Sequence, residues 1–152
     1  MKVSDVMTRD VCIANPKDSM CDVAKTMAKN DIGFLPVGEG DRLVGTITDR
    51  DMVVRGLAKG QTDCKVSDVM TRDVKYCFDD QEIEEVVQNM GDVQVRRLPV
   101  VNRDKRLVGV VSLADAALKD DPETAGIGLM GVVEPGGAKS QTAKSGEGQM
   151  IR

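Results

Sequence analysis

The 152-residue sequence has no histidine and no tryptophan, and its aromatic residues are Phe34, Tyr76 and Phe78. Without histidine, no side chain with an ordinary pKa near neutrality can serve as a general base. No G-x-x-x-x-G-K-[ST] phosphate loop and no G-x-S-x-G nucleophile elbow occurs. The acid pairs Asp79-Asp80, Glu84-Glu85 and Asp120-Asp121 read as solvated turns and helix faces. Together these gaps argue against an enzyme. The scarcity of aromatic rings nearly excludes base stacking. Twenty-one basic and 25 acidic residues, well mixed and netting −4, leave no basic stripe. No nucleic-acid partner is therefore expected.

Long apolar runs are also missing, so no membrane span is expected. No signal segment precedes the first repeat, and a cytoplasmic location is the expectation. The four cysteines, Cys12, Cys21, Cys64 and Cys77, form no C-x-x-C pair. With no histidine to join them, a zinc site is not expected. They read as buried or half-buried free thiols, with a Cys12–Cys77 bridge as the alternative. A redox role for any of them stays open.

What the sequence does contain is a repetition. The ten residues KVSDVMTRDV at 2–11 return at 65–74. Leu35-Pro36-Val37 returns as Leu98-Pro99-Val100, Leu43-Val44-Gly45 as Leu107-Val108-Gly109, and Thr48-x-x-Asp51 as Ser112-x-x-Asp115. Landmarks that keep their order and nearly their spacing establish a duplication. In the first copy, residues 11–14 read as a short strand. Met20, Val23, Ala24 and Met27 fall at helical spacing, with Asp18 as the N-cap. Residues 34–37 and 42–48 read as strands around a Gly-Glu-Gly-Asp turn, and Gly45 suggests a bulge or a close backbone approach. A helix then opens at Thr48 and stops at Gly60. The second copy repeats this order, with Ile83, Val86, Val87 and Met90 on its first helix. Each unit is thus predicted as strand–helix–strand–strand–helix in an α/β (α+β) fold. A unit of about sixty residues is marginal alone, so the two are expected to bury their sheet faces together. The predicted boundaries are 1–63 and 64–121. Residues 122–152 hold seven of the fifteen glycines and read as a flexible tail. Within it, the apolar stretch 126–133 could dock on the body or on a partner.

Thr48 with Asp51, and Ser112 with Asp115, each open a helix after a strand. Hydroxyl plus carboxylate at this spacing is a routine capping box. The same pair also suits a ribose-phosphate, since the hydroxyl bonds phosphate or ribose and the carboxylate accepts from a cis-diol. The residues alone leave both readings open.

VSDVMT twice, DIGFLPV with VRRLPVV, and RLVGTITDRD with RLVGVVSLAD make residues 1–121 resemble a tandem pair of cystathionine β-synthase (CBS) domains, a Bateman module. More narrowly, the chain resembles the stand-alone prokaryotic CBS-pair proteins. The resemblance implies two units related by a pseudo-twofold axis and packed through their sheets, with two clefts between them. It implies a non-enzymatic sensor that needs no cofactor and binds AMP, ADP, ATP or S-adenosylmethionine. Carried onto this sequence, one cleft would use Thr48, Asp51, Ser67, Tyr76, Val95 and Arg96. The other would use Ser4, Ile13, Ile32, Gly33, Arg97, Ser112 and Asp115. Arg97 should suit the second cleft to a charged phosphate. For Arg96 and Arg97 a solvated strand edge or a dimer contact is an equal alternative. The family usually forms homodimers through its helices, and Met20, Val23, Met27, Val86 and Met90 are candidates for that face. The signal would pass to an unidentified downstream protein. The alternative reading is a ligand-free dimerising scaffold or interaction protein, with its cysteines as the groups that would make it thiol- or redox-responsive.

Overall fold

The structure is a computed structural model and describes residues 1–135. Its elements are α1 (Val3–Val6), α2 (Met20–Asn30), β1 (Phe34–Glu39), β2 (Arg42–Thr48), α3 (Asp49–Asp51), α4 (Val66–Val69), β3 (Cys77–Phe78), α5 (Ile83–Val93), β4 (Arg97–Val101), β5 (Leu107–Ser112), α6 (Leu113–Lys119) and α7 (Pro122–Val132). Mixed helices and strands in two equivalent halves confirm the α+β class.

In each half two antiparallel strands form the sheet: β1 with β2, and β4 with β5. The second half adds β3, which runs parallel to β4. The expected strand at 11–14 is corrected. Only Ala14 makes a bridge, to Val37. The chain leaves the sheet there because Pro16 has no N–H and Asn15 to Asp18 close a turn. Asp18 belongs to that turn, where its Oδ2 accepts the Asn15 N–H. The N-cap of α2 is instead Ser19, whose Oγ accepts the Asp22 N–H at 3.0 Å. The helix opened by α3 continues as a π turn over Met52–Gly56 and a 3₁₀ turn over Leu57–Lys59, stopping at left-handed Gly60 as expected.

The core is two clusters, and the repeats exchange parts to complete them. Val3, Val6 and Met7, from the first repeat, are buried among Ile83, Val86, Met90, Leu98 and Val111 of the second. Val66, Val69 and Met70, from the second repeat, are buried with Val23, Met27, Leu35 and Ile47 of the first. Paired backbone bonds fasten the exchanged segments to the strands. Thr8 pairs with Val110 and Thr71 with Thr46, at 2.8–3.0 Å. This crossing explains the glycine in each Leu-Val-Gly. A Cβ on Gly109 would stand 2.6 Å from the Thr8 carbonyl oxygen, and one on Gly45 2.9 Å from that of Thr71. The two halves also join at their hairpins. Arg42 bridges to Arg106, and the Leu107 N–H donates to the Asp41 carbonyl at 2.7 Å.

The flexible-tail expectation is corrected for residues 122–132. They form α7, with Pro122 at its first position and Asp121 as its cap. The glycines that suggested a tail are what allow the helix to dock. Cβ positions on Gly128 and Gly131 would fall 2.5 Å from Val87 and 2.7 Å from Gly91, so α7 lies backbone to backbone on α5. The remaining tail residues, 136–152, lie outside the described residues.

Met20, Val23, Met27, Val86 and Met90, expected as candidates for a dimer face, are buried within their own halves. Other apolar side chains are exposed, among them Val53 and Leu57 in the first half and Leu118, Ile127 and Met130 in the second.

Candidate functional site

Both hydroxyl–carboxylate pairs form reciprocal capping boxes. Thr48 N–H donates to Asp51 Oδ2 and Asp51 N–H to Thr48 Oγ1, each at 3.0 Å. Ser112 and Asp115 repeat the arrangement at 3.0 Å and 3.0 Å. Capping does not exhaust these groups. Each carboxylate keeps its other oxygen, and each hydroxyl keeps a proton to donate. Arg97 is the cross-strand partner of Ser112, so the two side chains share one face of the sheet.

A cleft of about 410 Å³ opens on Ser112 and Asp115. Five of the seven residues expected there line it: Ile32, Gly33, Arg97, Ser112 and Asp115. Ile32 and Gly33 arrive from the first half, where α2 ends and β1 begins. The structure places Ser4 and Ile13 elsewhere. Ser4 sits in α1 with its N–H on the Asp79 carbonyl at 3.0 Å. Ile13 is exposed beside Gly38. Their places are taken by Thr8, Asp10, Val11 and Cys12, the stretch between α1 and Ile13. Asp31 also lines the cleft, held in the left-handed region at φ 53° as the C-cap of α2. Asp10 lies inside the repeated KVSDVMTRDV and returns as Asp73, but nothing in the repeat marked Cys12 or Asp31, because their matched positions hold Lys75 and Gln94.

The residues assigned to the other cleft are distributed as follows. Thr48 and Asp51 cap α3. Val95 packs against the second core. The Arg96 carbonyl accepts the Leu113 N–H at 3.0 Å, and its side chain is exposed. Ser67 donates its N–H to the Pro16 carbonyl at 3.0 Å. Tyr76 stands edge-on to Phe78, ring centroids 5.7 Å apart, and Arg103 covers the Phe78 ring at 4.0 Å. Asp49 lies next to Gly33: its carboxylate is 2.8 Å from where a Cβ would be. A larger, open depression of about 610 Å³, lined by Gly60–Cys64 and Asp68, shares no residue with either set.

Two cations escaped the sequence reading. Lys119 Nζ donates to the Val6 carbonyl at 3.0 Å and lies 3.9 Å from Asp115 Oδ1. Arg55, its counterpart in the repeat, donates to the carbonyls of Val69 and Met70 at 3.3 and 3.0 Å. Each closing helix thus grips the segment exchanged from the other repeat. Lys119 also touches a cleft carboxylate. A conserved spacing of cations four residues after each Asp was the available signal.

The cysteines are free thiols. Cys12 and Cys21 are exposed, whereas Cys77 is buried in the second core, so the alternative Cys12–Cys77 bridge is not formed. Burial, with a smaller contribution from Asp79, pushes the Cys77 thiol up to about 12. Among the described residues no group of three or more His, Cys, Asp or Glu side chains could hold a metal ion. No helix among them is long and apolar enough to cross a membrane.

Comparison with known proteins places these features in context. The family model of the CBS domain matches twice, at residues 3–56 and 66–119. Hypoxic response protein 1 of Mycobacterium tuberculosis is 39% identical over 116 residues, covering 74% of this chain and 80% of that protein. A crystal structure of Hypoxic Response Protein I with two coordinated zinc ions superposes with a TM-score of 0.70 at 36% identity, covering 78% and 98%. The CBS domain pair of protein MJ0100, in complex with 5′-methylthioadenosine and S-adenosylmethionine, gives a TM-score of 0.71 at 27% identity, covering 81% and 98%. CBSX2 in complex with AMP gives 0.69 at 26% identity, covering 78% and 96%.

Proposed function

The chain belongs to the CBS domain family, and from that premise we propose that it is a non-enzymatic regulatory module that binds an adenosyl ligand between its repeats. The observation that carries this reading is the 410 Å³ cleft in which Arg97, Ser112 and Asp115 of one repeat face Ile32 and Gly33 of the other. A molecule bridging two halves can bias their relative arrangement by its differential affinity for the alternatives. The ribose hydroxyls would bond Asp115 and Ser112, and the base would lie against Ile32 and Val11. The module would act in the cytoplasm as a homodimer and pass its state to a downstream protein. Exposed Val53 and Leu57, or Leu118 and Met130, the last two 84% and 72% accessible, support a self-associating helical face.

A second reading has its own support. The capping boxes already employ the hydroxyls and carboxylates, and a dimerising scaffold with empty clefts needs nothing more from them. Exposed Cys12 and Cys21 would then be the responsive groups.

A thermal-shift panel of AMP, ADP, ATP and S-adenosylmethionine, with phosphate as control, separates the two. A ligand at 100 times its dissociation constant adds about 2.7 kcal/mol, which is a shift of several degrees. We expect one adenosyl compound to produce it and Asp115→Asn to abolish it. A flat panel supports the scaffold.

A further inference from the structure

We infer that the Ser112/Asp115 cleft selects its adenosyl ligand by charge, taking a neutral or cationic 5′ substituent (a thioether or sulfonium) and rejecting a phosphate chain. This rests on the reading of the cleft as an adenosyl site. Arg97 pointed the other way in the sequence, but it is the single cation lining the cleft, against Asp10, Asp31 and Asp115. Asp49 adds a fourth carboxylate beside Gly33 at the rim. Lys119, 3.9 Å from Asp115, offsets that carboxylate. Among the described residues neither Asp10 nor Asp31 has a salt-bridge partner.

The imbalance is particular to this cleft. At the matching positions of the other repeat Asp31 is replaced by Gln94, Cys12 by Lys75 and Gly33 by Arg96. Asp73, which matches Asp10, lies 3.6 Å from Lys75 Nζ. One side of the pseudo-twofold is thus balanced in charge and the other is acidic. Adenosine itself is neutral, so the cleft could accept it despite its acidity, and the 5′ group decides. A phosphate chain brings two or more negative charges toward the Asp10 and Asp31 carboxylates. A sulfonium brings a positive one. Repulsive groups set against the wrong ligand discriminate as effectively as attractive groups set for the right one.

The test is titration calorimetry on the full chain at low ionic strength, with S-adenosylmethionine, 5′-methylthioadenosine and ATP as probes. Asp10→Asn/Asp31→Asn is the main variant. Both sites are exposed, and asparagine accepts the left-handed backbone of residue 31. Cys12→Trp, which fills the cleft from an exposed position, locates the binding. We expect S-adenosylmethionine to bind at least about ten-fold more tightly than ATP, the order of a screened charge effect near a protein surface. The double variant should raise ATP affinity about ten-fold with methylthioadenosine unchanged, and Cys12→Trp should remove the binding of all probes. ATP binding as tightly as S-adenosylmethionine, a double variant without effect on that ratio, or binding that survives Cys12→Trp would each overturn the inference and leave the adenosyl reading standing. No heat from any probe would remove both.

Discussion

Gly109→Ala is the sharpest test of the crossing between the repeats. The new Cβ would stand 2.6 Å from the Thr8 carbonyl oxygen and 3.0 Å from Met7 Sδ. The sulfur can swing away, but the carbonyl belongs to the backbone that enters the second half. Restoring ordinary contact requires the segment to lift from β5 by roughly 1 Å. That movement strains the Thr8–Val110 pair, whose bonds are 2.8 and 3.0 Å. Overpacking costs about 1–3 kcal/mol, and each weakened hydrogen bond costs up to about 1 kcal/mol. Restricting the unfolded chain returns about 0.5–1 kcal/mol. With both Thr8–Val110 bonds weakened to that full extent, the net expectation is a loss of about 2–4 kcal/mol. Urea unfolding should show the midpoint falling by about 1–2 M with the slope unchanged. Gly45→Ala, with its contacts to Met70 Sδ and Thr71 O both at 2.9 Å, should lose less in the same direction. A Gly109→Ala loss below about 0.5 kcal/mol, within the range of an ordinary surface substitution, would refute the close crossing.

The other expectations extend this. Val66→Ala should cost about 2 kcal/mol, and the amides whose hydrogen exchange accelerates should be those of α2 and β1, not of α5. Acceleration confined to α5 would contradict the exchange of segments. Cys77 gives a pH signature. Its thiol is protonated in both states below the ordinary value of 9.0, and the folded state holds its proton up to about 12. Between those values the unfolded chain binds fewer protons, so stability falls as pH rises, by up to about 1.4 kcal/mol per unit. In Cys77→Val that extra alkaline slope should vanish, as read from urea midpoints at pH 7.5 and pH 10. Equal slopes in the two proteins would mean that Cys77 is not held protonated.

The sequence was most informative where the duplication repeated whole phrases. Leu-Pro-Val and Leu-Val-Gly became strands, and Thr48 and Ser112 became caps, because local spacing governs both. Gly45 was read as a bulge or a close approach; the β1–β2 register shifts beside it, and the approaching backbone proved to be Thr71. What approaches a glycine cannot be read locally, so the exchange of 1–8 and 65–71 stayed hidden although KVSDVMTRDV was the clearest signal. The cleft followed the same division. Ser112, Asp115 and Arg97 lie on or beside a cap and a strand register, which spacing reveals. Cys12 and Asp31 enter through the stretches before and after α2, where no periodicity operates, and Asp10, though repeated as Asp73, carried no spacing that pointed to a cleft. Tail composition misled for 122–132 because glycine is common both to solvated linkers and to helices that cross at short distance.

Because each half finishes with residues from the other, the two clusters are not independent folding units in time. During synthesis the first cluster must wait for Met70, ten residues beyond the Gly60 that stops its closing helix. The second cannot close until β5 returns to meet Thr8, a span of a hundred residues made in between. Val3, Val6 and Met7 therefore spend most of translation as an apolar end without a site. The same clasp means that cutting the chain between the repeats should give two fragments that fold only on each other, locking first half to second without a covalent link.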